Sequence, residues 1–394
     1  MEEELNVGTV NTVDTEENIS NNNSNNNNND EFRKKILKLV TILVGIVVLF
    51  LLILFIISIF FKKNYTYSEL ETLLKDSAVK FYNDNKKELP KTDSQAVMIE
   101  SSTLIAAGYM KDFSSYTKKD ISCTGTVTVQ KSGGEFIYTP KLDCGNDYIT
   151  ITLKDKIIKE QNIVNADDGL YNLNNSYVFR GENVNNYLQL DNSLWRIVKI
   201  NNDNTIMLIL NDKISQTNGW DDRYNAQKNY SSGINDYSKS RIHDIIINYY
   251  NDSSKDSILS NSDKSKLAEF SVCMSKRSYS DTNRDGSIEC SQILEKQNIA
   301  LLSAYDYMNA SIDSGCVNTT SPSCQNYNYL ATNYSWWLAT ADSKDSTHVY
   351  YVRNGFISSS EAFEYKSVRP VVYLKNDILY VSGSGSLEDP YKVR

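Results

Sequence analysis

The chain has 394 residues with 41 Lys+Arg against 49 Asp+Glu, a net charge of −8, and only two His. The acidic excess lies in residues 1–32, where Glu2, Glu3, Glu4, Asp14, Glu16, Glu17, Asp30 and Glu31 meet no base, so the rest is balanced. Without a basic surplus to displace counterions the composition argues against a nucleic-acid partner, and two His leave little for a His-based metal centre or triad.

Residues 1–32 read as a disordered, acidic and Asn-rich cytoplasmic tail, since 21–29 are Asn except for Ser24 and offer no apolar surface to bury. Residues 33–63 read as an anchor with basic flanks. Within it, 39–61 carry no charge over 23 residues, a helix of about 34 Å and long enough to cross a bilayer core. A cleavable signal peptide is shorter and ends in small residues, whereas Phe61, Lys62 and Lys63 close this run. Arg33, Lys34, Lys35 and Lys38 precede the span and Lys62 and Lys63 follow it. The positive-inside rule therefore puts the N-terminal side in the cytoplasm and the bulk outside, at the cell membrane. All six cysteines (Cys123, Cys144, Cys273, Cys290, Cys316, Cys324) lie beyond the span. An even set confined to one side points to disulfides in an oxidising space, although six cysteines admit 15 pairings.

Residues 64–155 read as a small membrane-proximal domain of helix plus sheet. Thr66–Glu69 and Ser68–Glu71 both have capping-box spacing, and Leu70, Leu73, Leu74, Ala78, Phe81 and Tyr82 recur at helical spacing before Pro90 stops the helix. A second helix over 101–107 ends at Gly108. Period-2 runs at 124–130 and 135–139 predict a hairpin, with Cys123 and Cys144 placed to staple its open end. Residues 156–175 are polar and read as a linker.

Residues 176–394 read as a larger α+β extracellular domain. Apolar runs at 195–200 and 205–210 flank an Asn/Asp turn. Helices are expected at 237–250, 264–273 and 304–310, and strands at 336–340 and 368–374. A hairpin of 347–353 with 356–359 turns on Asn354-Gly355. Gly383-Ser384-Gly385-Ser386 marks a turn before a last strand near 391–393.

Five motifs and a closing segment of this domain stand in a fixed order. They are Phe179-Arg180-Gly181-Glu182-Asn183, Leu194-Trp195-Arg196-Ile197-Val198, Ala300-Leu301-Leu302-Ser303 with Tyr305, Trp336-Trp337-Leu338 with Thr340, Val368-Arg369-Pro370-Val371-Val372, and the segment from Gly383 to Tyr391. Over roughly 177–394 this order resembles an uncharacterised domain at the C-terminus of surface proteins of Bacillota and Mollicutes-like bacteria. The resemblance implies a fold similar to C-type lectins or the formylglycine-generating enzyme. No Cys follows Cys324, so that enzyme's paired cysteines have no counterpart and its chemistry does not transfer. The anchor, helix and stapled sheet are also similar in layout to a type IV pilin, but the pilin processing motif is absent around Glu31-Phe32-Arg33.

The segment Asp281, Asn283, Asp285, Gly286, Ser287, Glu289 follows the start of a calcium loop, with oxygens at alternate positions and Gly at the sharp turn. Gln292 stands where the bidentate acid belongs, so an Asx-turn loop closed by Cys273 and Cys290 is the competing reading and the preferred one. Otherwise no cofactor is expected. Cys316 and Cys324 read as a staple. Trp336 and Trp337 point to opposite faces of one strand, so one is core and the other is free to meet a ligand; Arg369 reads as half of a buried ion pair or an anion site. All 27 Tyr follow residue 64, amid Ser, Asn and Asp, the mixture of adaptable binding surfaces. The sequence thus describes a single-pass surface protein whose outer domain binds a glycan, wall polymer or protein in adhesion or recognition. The alternative is an envelope structural or pilus-like component; no nucleophile or acid–base pair marks an enzyme.

Overall fold

A computed structural model describes residues 25–60, 64–92, 95–117, 121–132, 135–173, 176–214, 216–254 and 257–394, with the side chains of 25–30, 54–60, 132 and 135 left aside. Most of the acidic tail, residues 1–24, lies outside these residues. The chain divides into two units: one runs through Thr66 and includes Lys111–Ser122, the other comprises Tyr67–Met110 with Cys123–Arg394.

The first unit holds α1 (Asn25–Phe60), a single helix of 36 residues. Its stretch Glu31–Ile53 is long and apolar enough to cross a membrane, and none of that stretch is buried. The helix begins at Asn25, inside the range assigned to the tail. Once an apolar segment has nucleated a helix, adding polar residues costs only their weak propensity. Near its end the unit has a short turn, Phe113–Tyr116, capped by the Asp112 carboxylate on the Ser114 amide. The Tyr65 amide bonds the Tyr116 carbonyl at 3.0 Å.

The second unit is α+β, and its strands pair antiparallel throughout. It opens with α2 (Tyr67–Asp84), which buries Leu70, Leu74, Ala78, Phe81 and Tyr82 as their spacing requires. Then come β1 (Ala96–Glu100), α3 (Ser101–Ala106), β2 (Thr124–Ser132) and β3 (Glu135–Asp143). The expected hairpin is β2–β3, extended by β1 into a three-stranded sheet, and Cys123–Cys144 closes the rung beyond Thr124↔Asp143. Ser68 lies inside α2 and makes no capping box with Glu71. The Glu71 carboxylate is fully buried; it takes the hydroxyls of Tyr148 and Thr150 and an ion pair from Arg394.

Beyond α4 (Leu153–Glu160) follow β4 (Gly169–Leu173), β5 (Ser176–Arg180), β6 (Tyr187–Leu190), β7 (Ser193–Ile200), β8 (Ile206–Leu210), β9 (Asn218–Gly219), α5 (Arg241–Asn251) and α6 (Asn261–Ser265). The chain continues through β10 (Phe270–Cys273), β11 (Ile293–Gln297), β12 (Ala300–Leu301), α7 (Ala304–Ala310), β13 (Trp336–Ala341), β14 (His348–Arg353) and β15 (Phe356–Glu361). It ends with β16 (Tyr365–Lys366), β17 (Pro370–Leu374), β18 (Tyr380–Ser382) and β19 (Lys392–Val393). The central sheet runs β12-β17-β8-β7-β5-β4, with β6 also on β7; smaller sheets are β10-β11, β13-β14-β15, β9-β16 and β18-β19. All four tryptophans, Trp195, Trp220, Trp336 and Trp337, are fully buried in this core.

Two expectations give way. The stretch 156–175 is more than a linker: Thr152 caps α4, whose Leu153 and Ile157 are buried, and β4 joins the central sheet. Its Lys and Asp residues mask a short apolar stripe. The helix expected at 264–273 stops at Ser265, the end of a turn set by the Ser260–Asp263 capping box. From Ala268, whose amide bonds the Tyr373 carbonyl, the chain is drawn into sheet pairing as β10, and Phe270 stacks on Tyr373. Tertiary pairing outweighs the local pattern.

Candidate functional site

The Trp-Trp strand was expected to offer a ring to a ligand; the structure buries both. Trp336 and Trp337 are 0% exposed, with their indole N–H groups given to Thr332 Oγ1 and the Asn218 carbonyl. Alternation sends the rings to opposite faces, but both faces of β13 are covered. Arg369 is also buried, and its partners are carbonyls rather than an acid: Leu210 at 3.0 Å, Asn211 at 3.1 Å and Leu330 at 3.3 Å. Its guanidinium lies 4.8 Å from the Trp336 ring centre. It ties segments together and presents nothing to an anion.

The calcium-like loop spends its oxygens on itself. Asp281 Oδ2 accepts the Ser278 amide, Asn283 Oδ1 the Asp285 amide and Asp285 Oδ1 the Ser287 amide. Ser287 Oγ takes the Asn283 side-chain amide. Both Glu289 oxygens sit 3.0 Å from Arg277 Nη1 in a fully buried pair. Burial raises the Glu289 pKa even so, with Arg277 opposing the rise. Among the described residues no three His, Cys, Asp or Glu converge on a metal position. The loop is closed by Cys273–Cys290, and Cys316–Cys324 closes the third natural pair, leaving no free thiol.

Other residues of the domain form a groove. A cavity of about 510 Å³ runs along β15 (Phe356, Ile357, Ser358, Ser359), with Tyr350 of β14, Tyr279, Asp342, Gln325 and the turn Thr319–Pro322 around it. The volume falls in the range of ligand pockets, roughly 300–1,000 Å³. Cavities of about 410 Å³ beside Thr72, Tyr138 and Leu379 and of about 330 Å³ beside Asp191 and Ser260 also fall in that range, whereas one of about 230 Å³ on the central sheet beside the Lys199–Asp306 ion pair falls short of it.

Each wall has a local cause. The Cys316–Cys324 disulfide pins the far wall, and Asn318 Oδ1 gathers the Thr320 amide, the Thr320 hydroxyl and the Ser321 hydroxyl. Tyr279 is held out at 53% exposure by the turn that Asp281 fixes, two residues after the buried Arg277. Tyr350 forms part of the wall, its hydroxyl on the Arg277 carbonyl; burial pushes its pKa up to about 12, so it stays a neutral donor. Asp342 is the one ionisable acid of the lining, and its Oδ1 accepts the Lys344 amide at 2.8 Å. Among the described residues no Lys, Arg or His lines the groove.

Tyr279 and the Phe356–Ser359 edge were not singled out from the sequence. The Asn354-Gly355 signal had placed the hairpin, and an outer strand with a Ser run was the available clue. Comparison with protein-family models, with curated proteins and with solved structures finds no match to this chain.

Proposed function

We propose that this is a single-pass bacterial cell-surface protein whose outer domain recognises a ligand through the β15 groove. The observation that carries the reading is the groove: a cavity of ligand size, walled in part by the loop that Cys316–Cys324 closes and lined by aromatic rings, hydroxyls and an amide. Support for the location comes from the exposed apolar stretch of α1, from the bases Arg33 to Lys38 on the N-terminal side of its uncharged run from 39, and from three disulfides all beyond it. In this reading α1 spans the membrane with its N-terminal side in the cytoplasm. The likeness of 177–394 to surface domains of Bacillota, and through them to lectin-like folds, agrees with a recognition role. In this reading the groove acts as a binding site; among the described residues its lining holds one carboxylate, Asp342, whose Oδ1 is bonded to the Lys344 amide.

The test has two parts. Protease added to intact cells removes residues 64–394 and spares the helix if the topology is right; a fully protected chain refutes it. The full chain in nanodiscs is then offered glycan, wall-fragment and peptide arrays. Saturable binding that falls at least tenfold in Tyr279→Ala, with unchanged melting, supports the groove. Binding untouched by that variant, or no binding at all, moves the reading to a structural envelope component.

A further inference from the structure

The sheet β13-β14-β15 ends at β15, which is hydrogen-bonded on one side only. Its hairpin turns through Asn354 (φ 46°) and Gly355 (φ 89°), the two-residue loop with both central residues left-handed. Such a loop makes Arg353↔Phe356 a mutually bonded pair, and the alternation of an antiparallel ladder does the rest. Phe356, Ser358 and Ser360 turn their amides and carbonyls to β14; Ile357 and Ser359 turn theirs outward. Among the described residues none bonds the Ile357 or Ser359 backbone from that outer side. Both residues line the groove. Ser359 Oγ is buried there and has no partner among the described residues.

Resting on the groove reading, we propose that the ligand is an extended peptide segment that adds to β15 as a fourth strand. Two outward amide–carbonyl sets spaced two residues apart form the repeat that an added strand bonds, whereas a saccharide has no matching period. The four consecutive residues Phe356–Ser359 that line the groove make an edge of about 13 Å, matched by about four residues of an added strand. Side-chain preference follows from the walls. Tyr279, Tyr350, Phe356 and Pro322 favour apolar or β-branched residues at alternate positions, and the hydroxyls of Thr320, Ser321 and Ser358 favour small polar ones between. Asp342, the one charged group among the described lining residues, disfavours acidic segments.

The probe is a phage-displayed random heptapeptide library selected on the full chain in nanodiscs, with selected peptides then synthesised and titrated. Two perturbations separate strand addition from other binding. Ser359→Pro removes one outward amide from an edge position where Pro is tolerated, leaving the β14 ladder intact. N-methylation at alternate peptide positions removes the peptide's own donors. Each is expected to weaken binding at least tenfold. Amide exchange of the unaltered chain supplies a measurement free of variants: Ile357 and Ser359 exchange fast, Ser358 and Ser360 slowly, and peptide slows the first two. Peptides that bind equally well to Ser359→Pro, or exchange that does not alternate, overturn the proposal. Saccharide binding lost in Tyr279→Ala but kept in Ser359→Pro overturns strand addition while sparing the groove. Slowing of the Ile357 and Ser359 amides with protein concentration alone identifies a second copy as the occupant and also overturns it. Absence of peptide and saccharide binding sinks both readings.

Discussion

Replacing Arg277 by Met isolates the buried charge that decides between a turn and a metal site. Arg277 and Glu289 are 0% and 1% exposed, with Nη1 3.0 Å from each carboxylate oxygen. Arg277 Nη2 also serves the carbonyls of Asp281 and Asn283. Removing the cation strands a carboxylate away from water, which costs about 3–5 kcal/mol. Arg277→Met should therefore lower the unfolding free energy by that amount, while Arg277→Met with Glu289→Leu should recover most of it, because no lone charge remains. The assay is urea unfolding of the full chain in detergent, followed by the fluorescence of the four buried tryptophans. In parallel, calcium at about 10 mM should leave the melting temperature unchanged; a millimolar site would add about 1.4 kcal/mol. The reasoning fails if Arg277→Met lies within about 0.5 kcal/mol of the unaltered chain, or if calcium stabilises it. Either result would free Glu289 to act as a ligand.

Other outcomes follow from the same geometry. Replacing Cys316 and Cys324 together by Ala opens a loop with a sequence separation of 8; chain entropy puts the loss at about 2.5 kcal/mol, read by the same unfolding assay, and ligand affinity at the groove should fall with it. Gly355→Ala introduces a Cβ at φ +89° and 3.1 Å from Gln325 Cβ, so a melting shift worth about 1–2 kcal/mol is expected, and an unchanged melting point would contradict the turn geometry. For Asp345, burial opposes ionisation, but the Thr347 amide and hydroxyl and the Lys228 ammonium outweigh it and hold the carboxyl well below its ordinary 3.8. A depressed folded pKa contributes stability above the ordinary value that is lost as pH falls through the folded one. The melting difference between the unaltered chain and Asp345→Asn should accordingly shrink from about pH 6 to pH 3, and a difference that grows on acidification refutes the assignment.

Elements with a strong local signal were legible in the residues. The α2 stripe, the helix ending at Gly108, the β2–β3 hairpin and the Asn354-Gly355 turn stand where spacing put them, and of the 15 pairings that six cysteines admit the chain makes the three between sequence neighbours. What the sequence hid is set by distant partners. Short β1 and β4 carry weak patterns and exist because β2 and β5 bond them. β10 competes with a helical pattern and wins through β11 and Tyr373. The site was misread for a related reason: large aromatics draw attention as ligand platforms, yet Trp336 and Trp337 are covered on both faces of β13, while Tyr279, in a loop with no motif of its own, is left half-exposed. Arg277 was invisible as Glu289's partner because nothing in the spacing of the two residues announces a buried pair.

The residues from 153 to 377 leave and rejoin the fold at neighbouring backbone positions. Leu153 takes the Ile378 carbonyl, Thr152 bridges Leu379, the Tyr380 amide reaches Ile151, and Arg394 returns to the buried Glu71. A module whose two ends meet is a closed ring with a clasp. A circular permutant opened at an exposed loop tip and rejoined at the clasp must keep residues 378–394 with the rest, because Tyr391 is fully buried and exchanges backbone bonds with Tyr187 and Gln189 of β6.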